Sequence, residues 1–167
     1  MQSRQNGFSL VELLIVVTII LIIVAIAVPN FVKVRMVANE AAVVAALRTI
    51  INNAHAYHTF HSEVGFPSAL ADMGPPPDEG LIDEVLASGV KSGYRFDYQV
   101  TSTTPCPGCV GGQRNDDFRL CADPISGNRT GRRAFFTTAD GVVHFLNPVP
   151  DGAVGPCAAN ATHPLLQ

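Results

Sequence analysis

A single carboxylate stands near the start of an otherwise apolar run. Glu12 is followed by Leu, Ile, Val and Ala residues with one interruption at Thr18, and the run ends at Pro29. A charged side chain deep in a membrane-spanning helix costs roughly 2.5–3.5 kcal/mol on insertion scales, and less near a helix end. A plain membrane anchor has no use for such a group, so we expect Glu12 to have a counter-ion.

The expected counter-ion is a new amino terminus. A secretory signal peptide has its small-residue cleavage site after the apolar stretch, whereas Gly7 lies before it, behind a polar leader, residues 1–7. Cleavage after Gly7 would keep the apolar segment and expose the amino group of Phe8. Phe8 and Glu12 are i and i+4 on a helix, so they can pair within one chain or across two staggered chains. At 4 Å and an effective dielectric of ~20 the attraction is about 4 kcal/mol, enough to set the register of a bundle.

The segment from Phe8 to Val28 is long enough to cross a bilayer. At a rise of ~1.5 Å per residue it extends about 30 Å, the thickness of the hydrocarbon core. Hydropathy alone is equally consistent with a signal anchor that holds some other domain at a membrane. Pro29 lacks an N–H and clashes with the carbonyl four residues earlier, so it either kinks the helix at the membrane surface or loosens it.

Residues 7–31, GFSLVELLIVVTIILIIVAIAVPNF, resemble the N-terminal signature of type IV pilins and of the pseudopilins of type II secretion. The resemblance implies cleavage after Gly7 by a membrane prepilin peptidase that also N-methylates Phe8. It implies that Glu12 neutralises the Phe8 amine of a neighbouring subunit, with Pro29 as a helix irregularity. It further implies an inner-membrane precursor with a periplasmic head, an inner-membrane assembly platform, and an extracellular filament in which the chain is its own partner.

Two features depart from the family pattern. The basic residue of the leader, Arg4, is set back behind Gln5 and Asn6, and the apolar run has Leu21 in the region where many pilins have glycine. Any local melting of the helix in a filament would therefore depend on Pro29 alone.

The helical pattern continues past Pro29 until Gly65. One apolar face recurs at spacings of four, three, four and three, formed by Val43, Leu47, Ile50, Ala54 and Tyr57. The opposite, polar side is assigned Glu40, Arg48, Thr49 and Asn52. A long helix is therefore predicted over residues 8–61, apolar all round to residue 28 and amphipathic afterwards.

Residues 62–167 are predicted to form a globular head. A Pro- and Gly-rich loop covers residues 65–80, with a short turn at Ser68–Met73, and a short helix follows over Leu81–Ala87. Alternating apolar residues predict strands at 94–100, 118–122, 134–138 and 142–145, with a tight hairpin at Asp140-Gly141. The predicted fold class is α+β, with the long N-terminal helix packed against an antiparallel sheet of about four strands.

All four cysteines lie in the head, where export to an oxidising compartment favours disulfides. Cys106-Pro-Gly-Cys109 can close on itself, which would leave Cys121 to join Cys157 and hold the C-terminal region to a strand. Zinc is the alternative for Cys-x-x-Cys, but Cys121 and Cys157 lack the paired spacing of a second half-site. Haem attachment is excluded because Val110 stands where a histidine is needed.

Other polar groups give weaker signals. His55, His58 and His61 are spaced by three and could bring two ligands to one metal, or be solvated residues at a helix end. Oxygen ligands for calcium could come from Asn115, Asp116, Asp117 and Asp123. These residues lack a calcium-loop pattern, however, and a role in forming turns explains them equally well. Arg129, Arg132 and Arg133 form a candidate nucleic-acid patch, although the net charge of −3 disfavours nucleic acid and solvated turn charges explain them. No metal or other cofactor is predicted.

These features favour a structural subunit of a bacterial type IV pilus that polymerises through its apolar helix. The sizeable head with its predicted disulfides, which lacks a calcium-loop pattern, favours a major pilin over a type II secretion pseudopilin. A membrane-anchored binding domain that never polymerises is the alternative from a different class. An enzyme is not predicted, since the sequence has no Gly-x-Ser-x-Gly, phosphate loop or paired-acid arrangement.

Overall fold

The computed structural model describes residues 8–109 and 111–146. The chain divides into two compact units between Arg35 and Met36, and the unit that begins at Met36 is called the head unit below. Helix α1 (Leu10–Phe60) contributes residues to both units, and α2 (Glu84–Ala87) belongs to the head unit. The strands of the head unit are β1 (Val90–Lys91), β2 (Tyr94–Pro105), β3 (Gln113–Pro124), β4 (Ala134–Thr138) and β5 (His144–Leu146).

The strands form one antiparallel sheet in the order β1-β2-β3-β4-β5. The α+β class and the antiparallel pairing are as predicted, and the sheet has five strands rather than four. The additional strand, β1, consists of two residues, which is too short to show an alternating pattern. In the middle of the sheet Ala122 of β3 lies between Phe96 of β2 and Phe135 of β4.

The strands β2 and β3 are longer than the apolar alternation predicted. Their outer halves, residues 101–105 and 113–117, are mostly polar and pair through the backbone, with a register shift between Val100 and Ser102. Backbone hydrogen bonds do not depend on an apolar face, so the pattern could not find these residues. The turn at residues 139–140 is followed by residues 141–143, which have no regular secondary structure and include Gly141 at φ +75°, so strand β5 starts at His144 rather than Val142.

The core of the head unit forms where the predicted apolar face of α1 meets one face of the sheet. Val43, Leu47, Ile50 and Ala54 are completely buried, and Tyr57 packs at the margin. The sheet contributes side chains of similar burial, among them Tyr94, Phe118, Leu120 and Phe135. Such a core loses about 2–5 kcal/mol when one large aliphatic side chain is cut to alanine.

The segment between α1 and β1 follows the predicted order of elements. A 3-10 turn covers Leu70–Met73, inside the predicted turn. Helix α2 is shorter than predicted because the N–H groups of Leu81 and Ile82 both donate to the Met73 carbonyl, 2.9 Å away, and are held outside the helix. Asp83 then caps it, accepting from Leu86 N–H at 2.7 Å.

Candidate functional site

The apolar part of α1 is a surface of large aliphatic side chains. From Leu10 to Val28 every large hydrophobic side chain is between 45% and 80% exposed. Within the described residues, α1 is the one helix long and apolar enough to cross a membrane, and none of its most apolar stretch is buried by this chain. A surface of this kind needs lipid or another protein chain to cover it.

Two polar side chains interrupt this surface, and they differ in their partners. The Thr18 hydroxyl donates to the carbonyls of Leu14 at 2.6 Å and Ile15 at 3.0 Å, so its polarity is satisfied inside its own helix. Glu12 lies in the first turn of α1 and forms no ion pair within the described part of the chain. The positive end of the helix dipole favours a carboxylate in that turn.

The predicted processing site is only partly described. Gly7 lies outside the described residues, whereas Phe8 is described and 78% exposed. Helix α1 begins at Leu10, and its first hydrogen bond runs from Leu13 N–H to the Ser9 carbonyl at 3.2 Å. Phe8 therefore precedes the helix that was predicted to start with it.

Pro29 lies inside α1, and the helix continues past it to Phe60. Because Pro29 has no N–H, the helix loses one backbone donor at this turn. The Asn30 side chain, one residue later, donates to the Ile26 carbonyl at 3.4 Å. The apolar run and the amphipathic part therefore belong to the same helix, α1.

The sequence interpretation of Glu40 was wrong. Glu40 is 6% exposed, and its Oε1 accepts the backbone N–H groups of Arg132 at 2.9 Å and Arg133 at 3.2 Å. Its Oε2 accepts from the Arg133 guanidinium, with Nε at 2.8 Å and Nη2 at 2.6 Å. Glu40 continues the apolar face of α1, three residues before Val43, and this spacing is the signal that could have found it.

Electrostatics at Glu40 favour the ionised form. Burial by itself raises the pKa of the carboxyl group, but the N–H of Arg132 and the hydrogen bonds and charge of Arg133 lower it more, so the pKa is below its ordinary value. Arg133 is therefore not a solvated turn charge, contrary to the sequence interpretation. Its guanidinium also lies 5.6 Å from the ring centre of Phe135 and 5.5 Å from that of Phe145.

The loop that carries Arg133 is held at two further points. The Tyr94 hydroxyl donates to the Arg133 carbonyl at 2.9 Å, and Asn39 of α1 donates to the Thr130 carbonyl at 2.9 Å. Gly131 lies against Tyr94, and a Cβ at this position would overlap the phenol ring. These contacts join the start of α1 in the head unit to the loop before β4.

The three histidines near the end of α1 contact three different partners. His55 Nε2 lies 3.1 Å from the Ala139 carbonyl, and His61 Nε2 lies 2.8 Å from Glu79 Oε1. His58 Nε2 lies 3.2 Å from the Arg114 guanidinium, which can only donate, so this ring nitrogen accepts. The histidines join the helix end to the turn after β4, to strand β3 and to the proline-rich turn, and they do not converge on one point.

The candidate calcium ligands are also separated by the structure. The Asn115 amide donates to the Phe66 carbonyl at 2.8 Å, Asp116 pairs with Arg114 at 3.3 Å, and Asp117 accepts from Phe118 N–H at 2.8 Å. Within residues 8–109 and 111–146, no group of three or more His, Cys, Asp or Glu side chains is placed to hold a metal ion.

Asp123 has a different environment from the other acids. It lies on β3 opposite Arg95 of β2, and its Oδ1 is buried without a hydrogen-bond partner among the described residues. Burial raises the pKa of Asp123 to about 6, helped by the charge of Asp97 and opposed by that of Arg95. Ionised Asp123 is therefore poorly stabilised in the fold.

One of the two predicted disulfides is described. Cys106 and Cys109 are bonded at the tip of the β2–β3 hairpin, as predicted. Cys121 is also disulfide-bonded. Cys157 lies outside the described residues, so its pairing with Cys121 stays a prediction.

Comparisons with known proteins agree with the N-terminal signature. Residues 2–28 match a family described as the prokaryotic N-terminal methylation motif. The type IV major pilin protein PilA of Myxococcus xanthus (strain DK1622) is 41% identical over 70 residues, which are 38% of this chain and 32% of that pilin. The matched region thus spans about a third of that relative's length, and no solved structure matches the chain. Together with the long apolar helix and the antiparallel sheet, these similarities support the type IV pilin family for this chain.

Proposed function

We propose that this chain is a structural subunit of a bacterial type IV pilus, which polymerises through the apolar part of α1 after its leader is removed at Gly7. The observation that carries the proposal is the exposure of every large aliphatic side chain from Leu10 to Val28 in the single chain. A membrane-inserted precursor covers this surface with lipid, and a filament covers it with the same surface of neighbouring copies.

Apolar contacts alone do not select a register between such helices. Lipid tails are as apolar as leucine, so moving the segment from the bilayer into a bundle of similar helices exchanges one apolar neighbour for another. A polar group that needs a partner does select a register. Thr18 is satisfied within its own helix, which leaves Glu12 as the group of this segment with a partner still to find.

The partner we propose for Glu12 is the Phe8 amine of an adjacent copy. The pairing within one chain that the sequence also allowed requires Phe8 and Glu12 on one helix face, and α1 begins only at Leu10. The start of the helix therefore supports pairing between chains. A prepilin peptidase that cleaves after Gly7 and methylates Phe8, and an inner-membrane assembly platform, are the partners of this process.

The test compares Glu12→Gln, which keeps the shape and removes the charge, with the control Thr18→Val, which removes a hydroxyl already satisfied in its own helix. Mass spectrometry should show that both variants start at N-methyl-Phe8. Electron microscopy of material sheared from the cell surface should show filaments for Thr18→Val and their loss for Glu12→Gln. Normal filaments from Glu12→Gln, or a mature chain that retains Met1, would overturn the proposal.

The same micrographs separate the pilus from a pseudopilus. A type II secretion pseudopilin predicts short fibres that remain in the cell envelope, whereas a pilin predicts long filaments outside the cell. The similarity to a protein named as a major pilin supports the second outcome. A membrane-anchored domain that never polymerises predicts neither kind of fibre.

A further inference from the structure

Charge is distributed unevenly over the head unit. Between residues 49 and 90 the sequence has six carboxylates and no lysine or arginine. Residues 124–146 have three arginines and one carboxylate. Within these segments, the loop that carries Arg129 and Arg132 lies beside Asn39 and Glu40, at the start of the head-unit part of α1. The turn that carries Asp78 and Glu79 lies beside His61, at the end of that helix.

The basic end lies where α1 enters the head unit. The backbone N–H of Arg132 donates to Glu40, which fixes the arginine loop beside this turn of the helix. Arg133 is neutralised by Glu40. Arg129 and Arg132 are exposed, and neither guanidinium forms an ion pair within the described residues.

The acidic end lies where α1 stops. His61 holds Glu79 at 2.8 Å, and this contact places the proline-rich turn beside the end of the helix. Asp78 precedes Glu79 in that turn, and Glu63 follows the helix end by three residues. Both carboxylates are exposed and unpaired within the part of the chain that the structure describes.

The two ends are too far apart to neutralise each other within one chain. Glu40 and Phe60 are separated by twenty residues of α1, or about 30 Å along the helix axis. The Debye length in physiological salt is only about 8 Å. The complementary charges are therefore available to another molecule, and the partner with matching charges at a matching spacing is a second copy of this chain.

We infer that neighbouring heads contact end to end, with Arg129 and Arg132 of one copy against Asp78 and Glu63 of the next. The inference rests on the proposed function, because parallel copies displaced along the helix axis by about the length of the head bring unlike ends together. Such a contact joins different surfaces of identical chains, so it repeats along a filament without closing. Exposed ion pairs add little affinity individually, but they select the partner and the register.

A zero-length cross-link tests this contact directly. Arg132→Lys supplies an amine in a chain whose native lysines are Lys33 and Lys91 only, and it keeps the backbone N–H bound to Glu40. Filaments of this variant treated with a water-soluble carbodiimide should give peptides that link Lys introduced at position 132 to Asp78 or Glu63. The distance between the two ends requires any such link to join two copies. Arg119→Lys, on a central strand, is the matched control and should not link to either acid.

Charge reversal gives a second readout. Arg129→Glu with Arg132→Glu should lower the filament yield about fivefold or more, and adding Glu63→Lys with Asp78→Lys should restore it. Filaments of the Arg132→Lys chain without the cross-link, or a lowered yield that the second pair does not restore, would overturn the inference and leave the proposed function intact. A native chain that forms no filaments would overturn both.

Discussion

Glu40 and Arg133 are 93 residues apart in sequence and form an ion pair with unequal burial. Arg133 Nη2 lies 2.6 Å from Glu40 Oε2, and the Glu40 side chain is 7% exposed whereas the Arg133 side chain is 38% exposed. If the pair is broken, the arginine can reach water and the carboxylate cannot. The unequal burial therefore predicts that removing one partner lowers the free energy of unfolding more than removing the other.

Replacing Arg133 should cost more than replacing Glu40. Arg133→Met leaves a buried carboxylate without its cation, and we expect a loss of about 2–4 kcal/mol, slightly less than for a fully buried pair. Glu40→Gln keeps an oxygen for the two N–H groups and should cost about 1–2 kcal/mol. Urea unfolding of the detergent-solubilised chain measures both values.

The double variant Glu40→Gln with Arg133→Met provides the control for this prediction. It removes both charges and should cost less than the sum of the single substitutions, because no uncompensated charge remains. Additive costs, or a larger cost for Glu40→Gln than for Arg133→Met, would contradict the interpretation of the pair as a buried carboxylate held by a partly exposed arginine.

Acid should weaken the head unit through Glu40. The pKa of Glu40 is lowered in the folded chain, so its stabilising contribution is complete above the ordinary carboxyl pKa of 4.5 and is lost as the pH falls through the lower folded value. We expect the free energy of unfolding to fall as the pH drops below 4.5. Glu40→Gln should flatten this part of the pH profile, and an unchanged profile would rule out Glu40 as its source.

Asp123 should have the opposite pH dependence. Its pKa is raised to about 6, so the folded chain binds the proton more tightly than the unfolded chain, whose value is near 3.8. The stabilisation by this proton is complete below the unfolded value and is lost as the pH rises through 6. Asp123→Asn, which cannot ionise, should therefore stabilise the chain at neutral pH by about 1–3 kcal/mol.

Comparing unfolding at two pH values tests the role of Asp123. The stabilisation by Asp123→Asn should appear at neutral pH and vanish below the unfolded pKa, where the native carboxyl group is protonated as well. Asp97→Asn, which removes the neighbouring charge that raises the pKa of Asp123, should give a smaller effect in the same direction. An equal effect of Asp123→Asn at both pH values would contradict ionisation as the cause.

The two disulfides should contribute different amounts to the free energy of unfolding. Cys106 and Cys109 close a very short loop at a hairpin tip, so Cys106→Ser with Cys109→Ser should cost at most about 2 kcal/mol. The predicted Cys121–Cys157 bond would close a much longer loop and contribute about 4 kcal/mol. Peptide mapping without reduction tests the second pairing, and a peptide that joins Cys157 to Cys106 or Cys109 would contradict it.

Much of the fold could be predicted because its signals are local. The apolar face of α1 is a repeat along one helix, so the spacing alone predicts Val43, Leu47, Ile50 and Ala54 as core residues. Cys106 and Cys109 are close in sequence, so their pairing needs only a turn. The polar outer half of the β2–β3 hairpin could not be predicted, because its strands are held by backbone pairing that leaves no side-chain pattern.

The sequence by itself determined the apolar segment, the placement of Glu12 within it and the position of Gly7 before it, because hydropathy and spacing along one chain are sufficient to define them. Only the tertiary structure decided that Glu40 is buried rather than solvated and that Arg133 is its counter-ion. It also gave the three histidines three separate partners, Ala139, Arg114 and Glu79. The physical reason is that a polar side chain becomes stable in a protein interior only when a partner satisfies it, and here that partner comes from a distant part of the chain.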